Sequence, residues 1–537
     1  MAAIELLTVQ NLTLTIVVIY ITRRALLLYE WLFVSPLSDL HANIWTLAFP
    51  IVGEYWTIRG KGFQRKHRLH SQYGSVWRMG PSWISVADPQ LAHQIMKTDD
   101  LPKPERMYSK FKLLPTDPDT ILTTSSRELH KMLRKLSTPA FSIKYLNNLE
   151  PYMFSVWESF EKKVLSLPST GNGWRSVDML DYFHKMAADI IGETAFGSSF
   201  GMVESGHHAF LEARRSMLHF AVQKRIFPFL TLIDHRLLPI GKSLSMHQNL
   251  LKDTVSNRVA LNGSGQRRND ILQMLLDHRD PDTGESFDKA QIATSISLFN
   301  DAGSETTGNA MTWVLYFLLK YPDAKAKLQA ELDAAFPDGL NSQMMLSTLK
   351  TLPFLDAVIK ETLRLRPVAP TIAREFTEDM VVQVHEVDGS ARSVHIPAGT
   401  WCDISFYAIH RSSQLWLRAE EFYPERWIEG SASSTQEEEV SGASQTKAEA
   451  NNSSRAVWGT PKLVNRDAFW PFSAGTRDCI GKNFAYNEMR ILLGHLVRRF
   501  DIVAGFDTHT EVEGASYITL SVNMKGGLPV KLKPRKK

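Results

Sequence analysis

Hydrophobic and polar positions alternate with several different periods along this chain. From Leu6 to Thr22 no position is charged, and Thr13 to Ile21 is strongly apolar and β-branched. Arg23 and Arg24 close that run, and a second apolar stretch, Ala25 to Val34, is broken only by Glu30. The uncharged run is at the short limit of the roughly 17–25 residues that a membrane helix needs. Glu5 before it and the arginine pair after it are the wrong flanks for a cleaved leader. They leave the N-terminus outside and the rest of the chain in the cytosol. Residues 1–35 are therefore expected to be a single transmembrane anchor, with 36–537 as one domain.

Further on, Ser75–Met79 and Trp83–Ala87 flank Gly80-Pro81 and predict a hairpin. Pro89 to Met96 starts a helix, Thr400 to Phe406 reads as a strand, and 290–320 carries a long helical pattern. Residues 263–284 are polar and glycine-punctuated, which predicts a linker. Residues 430–457 are mostly Ser, Glu, Ala, Gln and Asn and predict an extended surface insertion. Gly60 to Tyr73 reads as a basic surface segment, and Lys531 to Lys537 as a solvated tail.

Bulk composition narrows the function classes. With 44% hydrophobic and 22% charged residues the chain is an ordinary globular one, and a net charge of +4 is too small to argue for nucleic acid. Cys402 and Cys479 are the only cysteines. Two cannot build a disulfide framework or a Cys-rich zinc or iron–sulfur site. Cys402 lies in the strand-like run and reads as core.

Cys479 is different. It sits in Phe472-Ser-Ala-Gly475-Thr-Arg477-Asp-Cys479-Ile-Gly481, ahead of a helical pattern through Ile491, Leu492, Leu493, Leu496 and Val497. Amides at a helix start stabilise negative sulfur, and the glycines let backbone pass close to a flat ligand. The plain alternative is a buried structural cysteine.

The spacing Phe-x-x-Gly-x-Arg-x-Cys-x-Gly resembles the haem-binding loop of the cytochrome P-450 family, position for position, in a style close to fungal microsomal enzymes. The resemblance implies a mainly α fold with small β-sheets and haem b as cofactor. It makes Cys479 the axial iron ligand, with Phe472 and Gly475 shaping the loop. Arg477, Arg374 and Arg134 become candidates for the haem propionates. His130 stands four residues before Arg134, where the family has tryptophan. The run Ala302-Gly303-Ser304-Glu305-Thr306-Thr307 resembles the distal stretch. There Gly303 leaves room for dioxygen, a local widening hosts water, and Glu305 with Thr306 delivers protons. The runs Lys360-Glu361-Thr-Leu-Arg364 and Phe422-Tyr-Pro424-Glu425-Arg426-Trp427 resemble the family's structural triad, which assigns Glu361, Arg364 and Arg426 to a buried network.

These parallels imply a haem-dependent monooxygenase acting on a lipophilic small molecule, such as a terpenoid or polyketide secondary metabolite. No flavin or nicotinamide module is visible, so electrons are expected from a membrane-bound NADPH-cytochrome P-450 reductase, with cytochrome b5 as a second donor. Lys131, Lys135, Lys482, Arg498 and Arg499 are expected to form its docking surface, at the endoplasmic reticulum membrane. Pocket walls are expected from 108–123, 209–232, Phe299 and Ala302, 368–372 and 518–523. Two alternatives stay open: a haem-thiolate isomerase or dehydratase needing no outside electrons, and a non-catalytic haem-binding protein.

Overall fold

The computed structural model describes residues 2–112, 116–226, 240–340, 342–428, 461–508, 514–515 and 523–536. The 430–457 insertion lies outside the described residues, as do 113–115, 227–232 and 518–522 of the expected pocket walls.

In chain order the principal helices are α1 (Ala2–Tyr29), α2 (Gly62–Tyr73), α3 (Arg127–Ser137), α4 (Glu150–Ser166), α5 (Met179–Ile191), α6 (Ala209–Ile226), α7 (Ile240–Gly263), α8 (Lys289–Lys320), α9 (Pro353–Leu365) and α10 (Lys482–Arg499). The strands are β1 (Val76–Gly80), β2 (Trp83–Val86), β3 (Arg175–Asp178), β4 (Thr371–Glu375), β5 (Met380–His385), β6 (Ala391–Ile396), β7 (Trp401–Ser405), β8 (Phe500–Ala504), β9 (Gly514–Ala515), β10 (Asn523–Met524) and β11 (Pro529–Pro534). The chain divides into two compact units.

The first unit comprises Met1–Pro104, Thr371–Trp416 and Gln445–Phe469. Its main sheet has the order β1-β2-β7-β4. The hairpin forms as its alternation predicts, with Val76 opposite Val86, and β2 runs parallel to β7. Cys402, Asp403, Ile404 and Ser405 of β7 are all buried, so β7 is covered on both faces. Burial pushes the Cys402 thiol up to about 12, as suits a core residue. The segment read as basic surface is α2. Phe63, Leu69 and His70 turn inward, and Lys66 pairs with buried Asp403.

The expected membrane span is not supported. Among the described residues no helix is long and apolar enough to cross a membrane. The segment is helical, but Asn11, Thr15, Arg23 and Arg24 dilute its apolar character, and the Thr15 hydroxyl donates to the Asn11 carbonyl at 2.8 Å. Leu12, Leu14, Ile16, Ile19, Ile21 and Leu26 are exposed along it.

The second unit comprises Glu105–Pro370, Leu417–Ser444 and Trp470–Lys537. Its axis is α8, whose 32 residues begin with a capping box between Asp288 and Gln291. Residues 307–319 are buried all round, which is why Trp313 to Leu319 reads as unbroken apolar sequence. α5 packs closely on α8 because two glycines admit it. A Cβ on Gly303 would stand 2.7 Å from Ile191 Cδ1, and one on Gly308 would collide with the His184 ring.

Two sequence expectations fail here. The predicted linker contains a helix, Ile271–Asp277, capped by the Asp270 side chain, with Ile271, Leu272 and Leu275 buried. Its apolar face is only three residues long and was masked by the surrounding glycines. The predicted tail is β11, the middle strand of a sheet ordered β3-β11-β8. Val530 and Leu532 are buried between exposed Pro529, Lys531 and a partly open Lys533. Five basic residues between 531 and 537 outweigh a period-two signal carried by two apolar ones.

Candidate active site

Cys479 stands on a loop held from several directions. Its amide donates to the Phe472 carbonyl at 3.0 Å, closing a turn in which Ser473 and Gly475 have φ of 61° and 80°. Only glycine enters that region without strain, which explains Gly475. The Phe472 ring packs on Tyr486, centroids 5.3 Å apart. Arg134, in the last turn of α3, donates to the Asp478 carbonyl and carboxylate, each at 2.6 Å. Arg477 donates to the Thr124 and Ser125 carbonyls at 3.2 and 3.1 Å. Two arginines expected on propionates are thus committed to fixing the loop against the approach to α3. His130 is buried in α3.

The Cys479 side chain is accessible, yet it is densely surrounded by protein atoms. Burial pushes its thiol up, while the Gly481 amide at the start of α10 donates to the sulfur and pulls it down. α10 follows at once and packs on α8 through its buried face, Phe484 to Val497.

On α8, the polar stretch differs from expectation in two respects. Gly303 faces Ile191, a neighbour the expectation did not include, so its missing Cβ serves helix packing. No widening occurs either, because α8 is regular α-helix throughout. Ala302 is exposed in mid-helix, which marks the side of α8 that faces open space. The Thr306 hydroxyl donates to the Ala302 carbonyl, and Ser304 to the Asn300 carbonyl at 2.6 Å. Glu305 is half-buried beside them. Asp301 is gripped by Arg214 of α6, with Nε to Oδ1 at 2.6 Å. Nothing in the sequence pattern pointed to Arg214.

Glu361, Arg364 and Arg426 come together completely. Arg364 Nη2 and Nε donate to Glu361 Oε1 and Oε2 at 2.9 and 3.0 Å. Arg426 Nε reaches Oε1 at 3.0 Å. The Tyr423 amide (3.0 Å) and the Trp427 indole (2.9 Å) complete the carboxylate. The remaining guanidinium donors go to the carbonyls of Leu417, Arg418, Ala419 and Glu421. Trp427 was visible in the motif, but its role as a donor was not.

Arg374 is in β4 of the first unit, fully buried, with Nη1 on the Ala373 carbonyl at 2.9 Å and Nε without a hydrogen-bond partner among the described residues. The proposed basic docking surface shrinks. Lys135 pairs with Asp280 and Asp282, Arg499 with Glu161, and Arg498 is buried on the Phe336 and Gly339 carbonyls. Lys131 and Lys482 remain exposed.

Among the described residues no group of three or more His, Cys, Asp or Glu side chains could hold a metal ion. A bare ion does not fit Cys479. A cofactor that brings its own metal and takes one thiolate from the protein does.

Comparison with known proteins agrees. The family model described as cytochrome P-450 matches residues 45–520. The chain is 29% identical over 483 residues to cytochrome P-450 monooxygenase LUC2 of a Fusarium species, covering 89% of this chain and 86% of that one. It is 30% identical over 454 residues to cytochrome P-450 monooxygenase acrD of Aspergillus aculeatus, covering 82% and 81%. Among solved structures, the cytochrome P-450DA haem domain matches with a TM-score of 0.73 at 21% identity, covering 90% of this chain and 95% of that one, a likeness of fold. A match of that extent, around a single loop-borne thiol, settles the lineage: the chain belongs to the cytochrome P-450 family and is a haem-thiolate monooxygenase.

Proposed function

We propose that this enzyme inserts one oxygen atom of O2 into a lipophilic secondary metabolite of the terpenoid or polyketide kind. Electrons come from a separate NADPH-dependent flavoprotein reductase, since no flavin or nicotinamide module is visible in the sequence. The cofactor we assign is haem b, which Cys479 would hold through its sulfur. The observation that carries this reading is the accessible Cys479 thiol on a loop clamped by Arg134 and Arg477. The exposed apolar side chains of α1 support association with the endoplasmic reticulum membrane, with the site facing the cytosol. Lys131 and Lys482 support docking of an acidic partner.

When bound, the haem supplies dioxygen activation and oxygen transfer. The protein supplies position and protons. Cys479 would hold the haem iron as a thiolate, with the Gly481 amide as a donor to its sulfur. The fixed loop prevents the sulfur from swinging away. Thr306 Oγ1 spends its hydrogen on the Ala302 carbonyl, so it presents lone pairs to the open side of α8. Handing over a proton requires releasing Ala302, with Glu305 resupplying the hydroxyl.

Spectra and isotope labelling test the reading together. Cys479→Ala is expected to lose the red-shifted Soret band of the reduced, carbon-monoxide-bound protein, while Cys402→Ala keeps it. With reductase, NADPH and labelled dioxygen, the product of the wild type should carry one labelled oxygen. Turnover without NADPH would favour the isomerase or dehydratase alternative.

A further inference from the structure

Arg134 and Asp478 meet beside the one thiol that the haem assignment needs. Asp478 directly precedes Cys479, so the two α-carbons are about 3.8 Å apart. A carboxylate is an unhelpful neighbour for a sulfur that must be anionic, because a like charge disfavours the ionised form. The Asp478 charge works against an ionised Cys479, while those of Arg134 and Lys482 work for it. An acid at this position therefore calls for a counter-charge.

Arg134 brings that charge from the last turn of α3, 344 residues away in sequence. Its Nη1 donates to the Asp478 carbonyl and its Nη2 to Asp478 Oδ1, each at 2.6 Å. Stability does not account for the pair. The two side chains keep 25% and 38% of their surface open, and an ion pair that open to water adds little to folding. The buried Glu361 network shows what a structural clamp looks like in this chain, with both arginines and the carboxylate fully enclosed. What sets the Arg134–Asp478 pair apart is its place, one residue from the sulfur.

We propose that Arg134 is a positioning residue acting through Asp478, and that the pair sets the potential at which the haem held by Cys479 accepts an electron. The proposal rests on Cys479 as the residue that holds the haem, and adds to that reading the charges that tune it. A negative charge beside the site opposes uptake of an electron and a positive one favours it. Removing the Asp478 charge therefore raises the potential, removing the Arg134 charge lowers it, and removing both brings it back. Arg134 on this account answers to Asp478 and not to a haem propionate.

The test is spectroelectrochemical titration of the haem-loaded full chain without substrate. Asp478→Asn is expected to move the one-electron equilibrium towards the reduced form by at least about threefold, or about 28 mV at 59 mV per decade. Arg134→Gln should move it by a similar factor the other way. The double variant should return to within about twofold of wild type, or about 18 mV. Arg134→Lys keeps the charge and loses the two-pronged geometry, so its potential should stay close to wild type. A purely mechanical clamp would not shift the potential in opposite directions. Single variants indistinguishable from wild type, shifts of the same sign, or a double variant as far displaced as Arg134→Gln alone would each overturn the proposal. Asp478→Asn removes only a partly open carboxylate, so its rise in potential decides the matter where the Arg134 variants fail to fold.

Transfer of haem from the same samples to apomyoglobin gives a second measure. The double variant should release haem no faster than Asp478→Asn alone, because Arg134 then has nothing left to hold. Faster release would place Arg134 on the haem itself and overturn the assignment. The reduced, carbon-monoxide-bound spectrum separates this proposal from the reading beneath it. A red-shifted band in every variant with unmoved potentials removes the proposal alone. A wild type without that band removes Cys479 as the haem's holder and the proposal with it.

Discussion

Two polar clusters within the second unit handle burial in opposite ways. Around Glu361 every donor and acceptor named above has a partner, and the carboxylate oxygens accept from two arginines, an indole and an amide. Along α8, buried Asn300 Oδ1, Arg214 Nη1 and His247 Nδ1 have none among the described residues. A saturated network fixes geometry and asks for nothing more. An unsaturated one is left with desolvation that nothing offsets. The first cluster is therefore scaffold, while the second stays open among the described residues, although both carry an Arg–carboxylate pair.

Breaking the saturated cluster should cost the most. Glu361→Ala leaves two buried guanidiniums without a counter-charge, and about 3–5 kcal/mol of unfolding free energy should vanish. Chemical denaturation and haem yield measure this. A variant that stayed fully haem-loaded within about 1 kcal/mol of wild type would show that the network is not structural.

Gly303 sharpens the boundary between the two. Gly303→Ala gains about 1 kcal/mol of helix propensity but pushes a methyl group into Ile191, and overpacking costs about 1–3 kcal/mol. A lowered melting temperature is expected, recovered in the Ile191→Val background, which removes the contacted Cδ1. If the loss were the same in both backgrounds, the glycine would answer to something other than α5.

Thr306→Ala should disturb stability least, within about 0.5 kcal/mol, because the Ala302 carbonyl keeps its helical bond. Its effect belongs to turnover. Product formation should fall by about 10²–10⁴-fold while NADPH consumption continues and peroxide accumulates, and Thr306→Ser should recover part of the loss. Unchanged coupling, alone and together with Thr307→Ala, would return this part of α8 to scaffold.

The sequence was most legible where function forces residues together locally. The Cys479 loop packs a glycine, an arginine and a cysteine into a few positions, and Glu361 with Arg364 shares one turn. It was least legible where pairing spans the chain. Arg214 meets Asp301 across 87 residues, and Arg134 meets Asp478 across 344, with no periodicity to announce either. Arginine type therefore predicted an anion but not which one. Composition misled where it was loudest: the lysines of β11 hid the Val530–Leu532 alternation, and the glycines flanking 271–277 hid a helix. Gly303 was noticed for the right reason, a glycine in mid-helix, and then given the wrong neighbour.

The β3-β11-β8 sheet sets an order of events during synthesis. Val177 of β3 pairs with Val530 of β11, whereas β11 pairs with Ile502 and Val503 of β8 nearby in sequence. At about 5–20 residues per second, β3 leaves the ribosome tens of seconds before its partner exists. β8 and β11 can meet soon after they are made, and β3 must wait unpaired with an open edge throughout. A nascent chain is thus most exposed to misassociation in that interval. Slow translation between residues 178 and 529 should lower the yield of active enzyme without any change in the protein made.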